Sequence, residues 1–252
     1  AQYWKKQIPL IKVYGAIGSE VSATYAADRY TECSISQYAW DCFFRDYDDD
    51  CVQTIFNTAG SVYEPVSLPS RYPNILINGG TGISIGNAFT IPPYNVEEVV
   101  NAVKAHLHTR SEEHTYLIPD FPTGCEIIDD ENSIKKICET GRGNLRVRAK
   151  TEIIDEGRYW AIRCTHLPWG VTQEAVVDSI VRHTKSGQLP VKDVQDRHEA
   201  VIENGEVVSH VDLWILIDKA HDPYAVREKL FKKTRLEDTI AVNFKVVLEG
   251  LK

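Results

Sequence analysis

Ala26-Ala27-Asp28-Arg29-Tyr30-Thr31-Glu32 sets an arginine immediately before a tyrosine, and the reading of the whole chain turns on what that pair does. A phenol with a pKa of about 10 is protonated at neutral pH, so a tyrosine nucleophile needs a base or a metal to take its proton and a cation to steady the group it attacks. The planar fork of an adjacent arginine suits phosphoryl oxygens. An Arg-Tyr dipeptide alone is far more often a surface pair on a helix, so its weight has to come from the segments on either side.

Upstream, Trp4, Ile8, Leu10, Ile11 and Val13 make an apolar, strand-like piece that ends in a loop punctuated by Gly15 and Gly18, and Ser19 is suited to cap the next segment. From Val21 to Tyr47 the chain has neither Pro nor Gly and is rich in Ala, which predicts helix in one or two pieces with Tyr30 in or at the end of the first. Asp46-Tyr47-Asp48-Asp49-Asp50 has the form of a D-x-D metal site, but it comes after an aromatic, helix-like segment and reads as a solvated acidic turn. Residues 57–74, with Gly60, Pro65, Pro69 and Pro73, read as a linker and mark a boundary near residue 60.

Downstream, Ile75-Leu76-Ile77 predicts a short strand running into the glycine-rich Asn78-Gly79-Gly80-Thr81-Gly82-Ile83-Ser84-Ile85-Gly86. Such a loop either cradles phosphate on its backbone N–H groups or is a close-packed turn; it lacks the G-K-[ST] ending of a nucleotide-binding loop. Asn95, with Glu98 three residues on, caps a helix whose apolar face is Val96, Val99, Val100, Val103 and Leu107. Residues 110–133 are irregular, and a helix around Ser133–Glu139 stops at Gly141. Leu145, Val147 and Ala149 alternate with Arg146, Arg148 and Lys150, a strand with one basic face that reads as a solvated edge or, more weakly, as a DNA contact. A strand over 159–164, a turn at His166-Leu167-Pro168, a helix capped by Thr172, two β segments within 206–218, a helix opened by Asp222-Pro223 and a closing strand over 240–248 complete the chain. Helices and strands are mixed without strict β-α-β alternation, so the fold class is α+β.

With 252 residues the chain can bury a sizeable core, in one large domain or two. No apolar run reaches the ~20 residues of a membrane span and no leader-like segment opens the sequence, so a cytoplasmic protein is expected. The six cysteines lack C-x-x-C and zinc-finger spacing and read as scattered reduced thiols. A formal net charge of −8 argues against non-specific coating of nucleic acid but leaves room for a local basic surface. The absence of methionine suggests a segment of a longer protein.

Five groups of residues then recur in a known order. Pro9-Leu10-Ile11, Gly15, Gly18-Ser19 and Ala26–Glu32 resemble the P-L-I…G…G-S…A-A-x-R-Y-T-E segment of the A subunits of DNA gyrase and topoisomerase IV. Pro73–Ile83 with Ile91-Pro92-Pro93-Tyr94-Asn95 is similar to that family's P-N-L-L-V-N-G-x-x-G-I and I-P-P-H-N, and Asp120-Phe121-Pro122-Thr123 and Thr140-Gly141-Arg142-Gly143 to its D-F-P-T and T-G-R-G. The resemblance implies a type IIA DNA topoisomerase segment: the end of a winged-helix (CAP-like) domain over 1–60 and a mixed α/β tower domain over 61–252. By position, Tyr30 is the nucleophile that forms a 5′-phosphotyrosyl link, and Arg29 stabilises the transferring phosphate. Ile83, with Gly82 and Thr81 beside it at the DNA, is the apolar wedge. The implied partners are duplex DNA, a second A subunit and the B subunit, in an A2B2 complex near the nucleoid. The B subunit brings the Mg²⁺ and ATP, so no cofactor is expected on this chain, and by itself it is expected not to cleave DNA.

The sequence departs from the family at several points. Val13–Ser19 replaces G-Q-G-N-F-G-S, Tyr25 stands for Ala, Asp28 for Met and Tyr94 for His. These departures, with the acidic balance, leave a second expectation open: a DNA-binding or structural relative that has lost catalysis.

Overall fold

The computed structural model describes residues 1–84, 86–109, 116–203 and 206–246. Every strand pairing in it is antiparallel, and the elements are mixed α and β, as the α+β expectation requires.

Strand β1 (Ile11–Tyr14) pairs with β2 (Glu32–Ile35), bringing Tyr14 opposite Glu32. The helix expected from Val21 to Tyr47 is therefore mostly absent. Residues 21–27 are irregular, Asp28–Tyr30 form a single 3-10 turn, and helix begins only at α1 (Gln37–Ala39), continued by a π-helical turn over Trp40–Phe44. Two tertiary interactions override the alanine-rich propensity: β2 is claimed by β1, and Val21 is buried in the largest core. Ser19 does receive N–H groups on its hydroxyl, from Val21 and Ser22 at 3.2 Å each, but it closes a turn and starts no helix.

The segment read as a linker over 57–74 begins as the turn and second strand of a hairpin, β3 (Thr54–Phe56) with β4 (Tyr63–Pro65), closed at Asn57, whose Oδ1 accepts the Ser61 N–H at 2.9 Å. The strand expected at Ile75–Ile77 is a helical turn, α2 (Asn74–Ile77), because fully buried Ile77 packs there with Tyr94 and Val99. The strand comes after it: β5 (Gly80–Ser84) pairs with β6 (Asn87–Ile91). Helix α3 (Val96–Thr109) is next, with Asn95 Oδ1 accepting the Glu97 N–H at 2.9 Å as expected of a cap. Its apolar stripe is only partly covered: Val99 is buried, whereas Val103 and Leu107 are exposed.

Strand β7 (Glu126–Ile127), helix α4 (Glu131–Thr140) and strand β8 (Arg142–Arg148) succeed it, α4 ending at Gly141 in the left-handed conformation (φ 66°). Beyond them lie β9 (Lys150–Asp155), β10 (Tyr159–His166), α5 (Gln173–Lys185), β11 (Val191–Asp196), β12 (Glu199–Glu203), β13 (Glu206–His210) and β14 (Leu213–Asp218). The chain closes with α6 (Pro223–Lys233) and β15 (Glu237–Asn243). Thr172 and Asp222 cap α5 and α6 through their side chains, as their sequence patterns predict. The last strand stops at Asn243: Val246 is exposed beyond it, and Val247 and Leu248 lie outside the described residues.

Two sheets organise the molecule. A four-stranded sheet, β11-β14-β10-β9, buries Ile162, Cys164, Leu213, Ile215 and Ile217 against Val176 and Ile180 of α5 and Val226 and Leu230 of α6. A five-stranded sheet, β5-β6-β15-β8-β7, buries Leu145, Val147, Ile240 and Val242 against Ile134 and Ile137 of α4. Strand β8 is thus interior, not an edge. Two arginines of its basic face are ion-paired: Arg146 meets Asp129 at 2.8 Å, and Arg148 meets Glu237 at 2.7 Å. The face itself stays solvated at Arg142 and Arg146, which are exposed, while Arg148 is half-buried. All six cysteines are free thiols. Among the described residues no helix is long and apolar enough to cross a membrane.

Candidate active site

Tyr30 ends the 3-10 turn that bridges the 15–31 loop and β2. Its own N–H donates to Ala27 O at 2.9 Å, and Asp28 O accepts from the Thr31 N–H at 3.1 Å and the Thr31 hydroxyl at 3.0 Å. These bonds are local to the turn and fix the backbone while leaving the phenol outside; Tyr30 is 66% exposed. Its hydroxyl has no hydrogen-bond partner among the described residues. The Arg29 guanidinium lies over the Tyr30 ring, 4.8 Å from the centroid, and makes no ion pair among the described residues. The sequence pair is therefore a spatial pair, with its cation and its hydroxyl both open to a ligand.

Gly15 holds the turn in place. Its φ of +105° is unfavourable for other residues, and a Cβ there would lie 2.6 Å from the Tyr30 carbonyl oxygen. Ala16 O accepts the Ala26 N–H at 2.9 Å and Ser22 O accepts the Ser19 N–H at 2.7 Å, closing the loop on itself. The loop is also fastened to distant parts of the chain. Glu20 O accepts the Gln173 N–H at 2.9 Å, and Val21 O accepts the Glu174 N–H at 3.1 Å, at the start of α5. The Ser22 hydroxyl meets Glu174 Oε2 at 3.1 Å. Glu20 is buried by this docking, and burial pushes its carboxyl up to about 7, against a backbone hydrogen bond from Leu167 that acts the other way. Sequence patterns missed Glu20, because its partners lie about 150 residues away.

The apolar candidate Ile83 stands on β5 opposite Ala88 of β6, with 94% of its surface exposed, and Thr81 is exposed on the same face. Gly82 faces the other way. A Cβ there would lie 2.2 Å from the ring of Phe89, its cross-strand partner, and one on Gly79 (φ +57°) would lie 2.4 Å from Ile91 O. Of the two readings of the glycine run, the close-packed one describes these glycines: they let backbone and an aromatic ring approach. Tyr94, where the family pattern has His, is buried beside Ile77 and Val99, and burial pushes its phenol well above the usual range.

The acidic run conforms to the solvated reading. Asp46 pairs with Arg71, and Asp48 Oδ1 accepts the Asp50 N–H at 3.1 Å. Among the described residues no group of three or more His, Cys, Asp or Glu side chains is arranged to hold a metal ion.

The family of DNA gyrase/topoisomerase IV A subunits matches residues 1–252. The DNA gyrase A subunit of Thermotoga maritima is 33% identical over 253 residues, covering 98% of this chain and 30% of the relative. That of Ureaplasma parvum is 36% identical over 261 residues, covering 100% and 30%. The A subunit of DNA topoisomerase 4 from Caulobacter vibrioides is 34% identical over 257 residues, covering 98% and 32%. The chain thus spans about 30% of the length of these curated relatives. With a match running from its first residue to its last, this chain belongs to the family of DNA gyrase/topoisomerase IV A subunits.

Proposed function

We propose that this chain is the part of a type IIA topoisomerase A subunit that breaks and reseals DNA, with residues 1–60 ending its winged-helix domain and residues 61–252 forming its tower domain. Tyr30 is the nucleophile. Its hydroxyl oxygen bonds to a backbone phosphorus as the bond from that phosphorus to the 3′ oxygen breaks; the phenol proton passes to a base outside this chain, and the 3′ oxygen takes up a proton from solvent and leaves as a hydroxyl. The phosphoester energy stays in the 5′-phosphotyrosyl bond, so resealing is the same exchange run backwards. Arg29 neutralises charge on the non-bridging oxygens as they move. Ile83 enters between base pairs, with Thr81 at the adjacent backbone and Gly82 giving β5 its close fit to Phe89.

What supports this reading is the exposed Tyr30 hydroxyl beside Arg29, the one without a hydrogen-bond partner and the other without an ion pair among the described residues, in a chain of this family. The assembly is an A2B2 complex on duplex DNA in the cytoplasm, at the nucleoid. Mg²⁺ and ATP are held by the B subunit, and Mg²⁺ supplies there the Lewis acidity that the phenol requires. The test is Tyr30→Phe in the intact A subunit paired with its B subunit. The variant is expected to bind duplex DNA within about twofold of wild type and to form no protein–DNA adduct after detergent denaturation; adducts that persist would overturn the assignment of Tyr30.

A further inference from the structure

The residues that lead into the Ile83 hairpin are held by the first residues of the chain. Asn78 lies between the helical turn α2 and strand β5 and is 3% exposed. Its Nδ2 donates to Asn74 Oδ1 at 2.8 Å, and its Oδ1 accepts the Ile8 N–H at 2.8 Å. Lys6 completes the hold: its ammonium donates to Gly79 O at 2.9 Å and to Asn78 O at 3.3 Å. Lys6 is half-buried, and burial lowers its pKa. An ammonium spent on two main-chain carbonyls, with no carboxylate on it among the described residues, holds backbone through charge-assisted bonds.

The same segment continues to the tyrosine. Pro9 O accepts the Ser36 hydroxyl and Leu10 O accepts the Ser36 N–H, each at 3.0 Å. Strand β1 then pairs with β2 as far as Tyr14 opposite Glu32, and Gly15 lies against the Tyr30 carbonyl. Residues 6–15 are thus one continuous strap, with the base of β5 fastened at one end and the Tyr30 turn at the other.

We propose that Lys6 and Asn78 are positioning residues: they clasp the Ile83 hairpin to this strap and so fix the offset between Ile83 and the Tyr30 hydroxyl. The proposal rests on the readings of Ile83 as the wedge and Tyr30 as the nucleophile. A duplex bent at the Ile83 step then presents its scissile phosphate in line with the phenol. Misplacement by about 1 Å at a reacting centre costs about 10²-fold in rate, so a loosened clasp is felt at Tyr30 although neither clasp residue touches the reacting atoms. Removing the Lys6 ammonium leaves Ile83 and its hairpin in place, and bending survives while the phosphate arrives out of line.

The test is the single-turnover rate of covalent adduct formation at saturating duplex, with affinity and bending of the same duplex, for the intact A subunit paired with its B subunit. The variants are Lys6→Met, Lys6→Arg, Ile83→Ala and the double variant Lys6→Met with Ile83→Ala. Lys6→Met is expected to slow adduct formation about tenfold and to leave affinity and bending within about twofold, and Lys6→Arg, which still donates to both carbonyls, is expected to restore the rate. In the Ile83→Ala background the same Lys6→Met change is expected to alter the rate by less than about twofold, because the clasp then has no wedge to place. Where Lys6→Met does not fold, Asn78→Asp carries the same comparison: it keeps the acceptor for the Ile8 N–H and sets an oxygen against Asn74 Oδ1. An equal loss of rate with and without Ile83, or a loss of affinity that matches the loss of rate, overturns the clasp and leaves the function standing. Ile83→Ala that bends DNA as wild type does overturns the wedge and the clasp together, with the assignment of Tyr30 intact. A wild type that forms no adduct overturns the function itself.

Discussion

Glu20 is buried where the tyrosine loop meets α5, and its Oε1 has no hydrogen-bond partner among the described residues. A carboxyl held at about 7, above its ordinary 4.5, favours the protonated form in the folded state. By linkage, this contribution to stability is fully present below about pH 4.5 and is lost as pH rises through about 7. Glu20→Gln keeps the shape without the titration. It is expected to remove that part of the pH dependence and to stabilise the protein at pH 8 by about 3 kcal/mol, as measured by urea unfolding at pH 5 and pH 8. A variant with the wild-type pH dependence would count against a buried acid here. Ile83 gives the opposite case. A side chain this exposed contributes almost nothing to the fold, so Ile83→Ala is expected to change stability by less than about 0.5 kcal/mol. The same variant is expected to reduce bending of a duplex labelled at both ends, read by fluorescence transfer, more than it reduces binding at low salt. Equal loss of bending and binding would contradict the wedge.

Two hairpins need a glycine for different reasons: Gly79 leads into β5, and Gly60 lies in the turn between β3 and β4. Gly79 has both a positive φ and backbone atoms where a Cβ would go, whereas Gly60, also at positive φ (65°), has only the Phe56 ring at 3.6 Å. Gly60→Ala is expected to cost about 1 kcal/mol and Gly79→Ala at least about 2 kcal/mol, measured by chemical unfolding. Equal costs would show that the approach of Ile91 and Pro93 is not what requires glycine. These elements also show what the sequence made legible. Caps at Asn95, Thr172 and Asp222, and the stop at Gly141, were readable because their signals are local. Glu32–Ile35 was unreadable as a strand, since only its partner Ile11–Tyr14 makes it one. Ile75–Ile77 misled for the same reason: an apolar triplet has no period, and the buried contact of Ile77 with Tyr94 and Val99 decided for a helical turn.

At the scale of the molecule, the tyrosine loop is not an independent appendage. Gln173 and Glu174 hold its backbone, and Val21 joins a core built from residues 149–236. The Arg29–Tyr30 pair was visible in the sequence because it is contiguous and sits among ordered motifs. The docking of its loop was not, because it is made by hydrogen bonds to Gln173 and Glu174, far along the chain. The central claim concerns one bond. The most direct measurement is to incubate the intact A subunit with its B subunit, Mg²⁺ and duplex DNA, denature with detergent, digest, and map the nucleotide-bearing peptide by mass spectrometry. The account predicts a 5′-phosphate ester on the Tyr30 oxygen, within the peptide containing Arg29 and Thr31. An adduct on another residue, or no adduct where the same B subunit supports cleavage with a known A subunit, would contradict it.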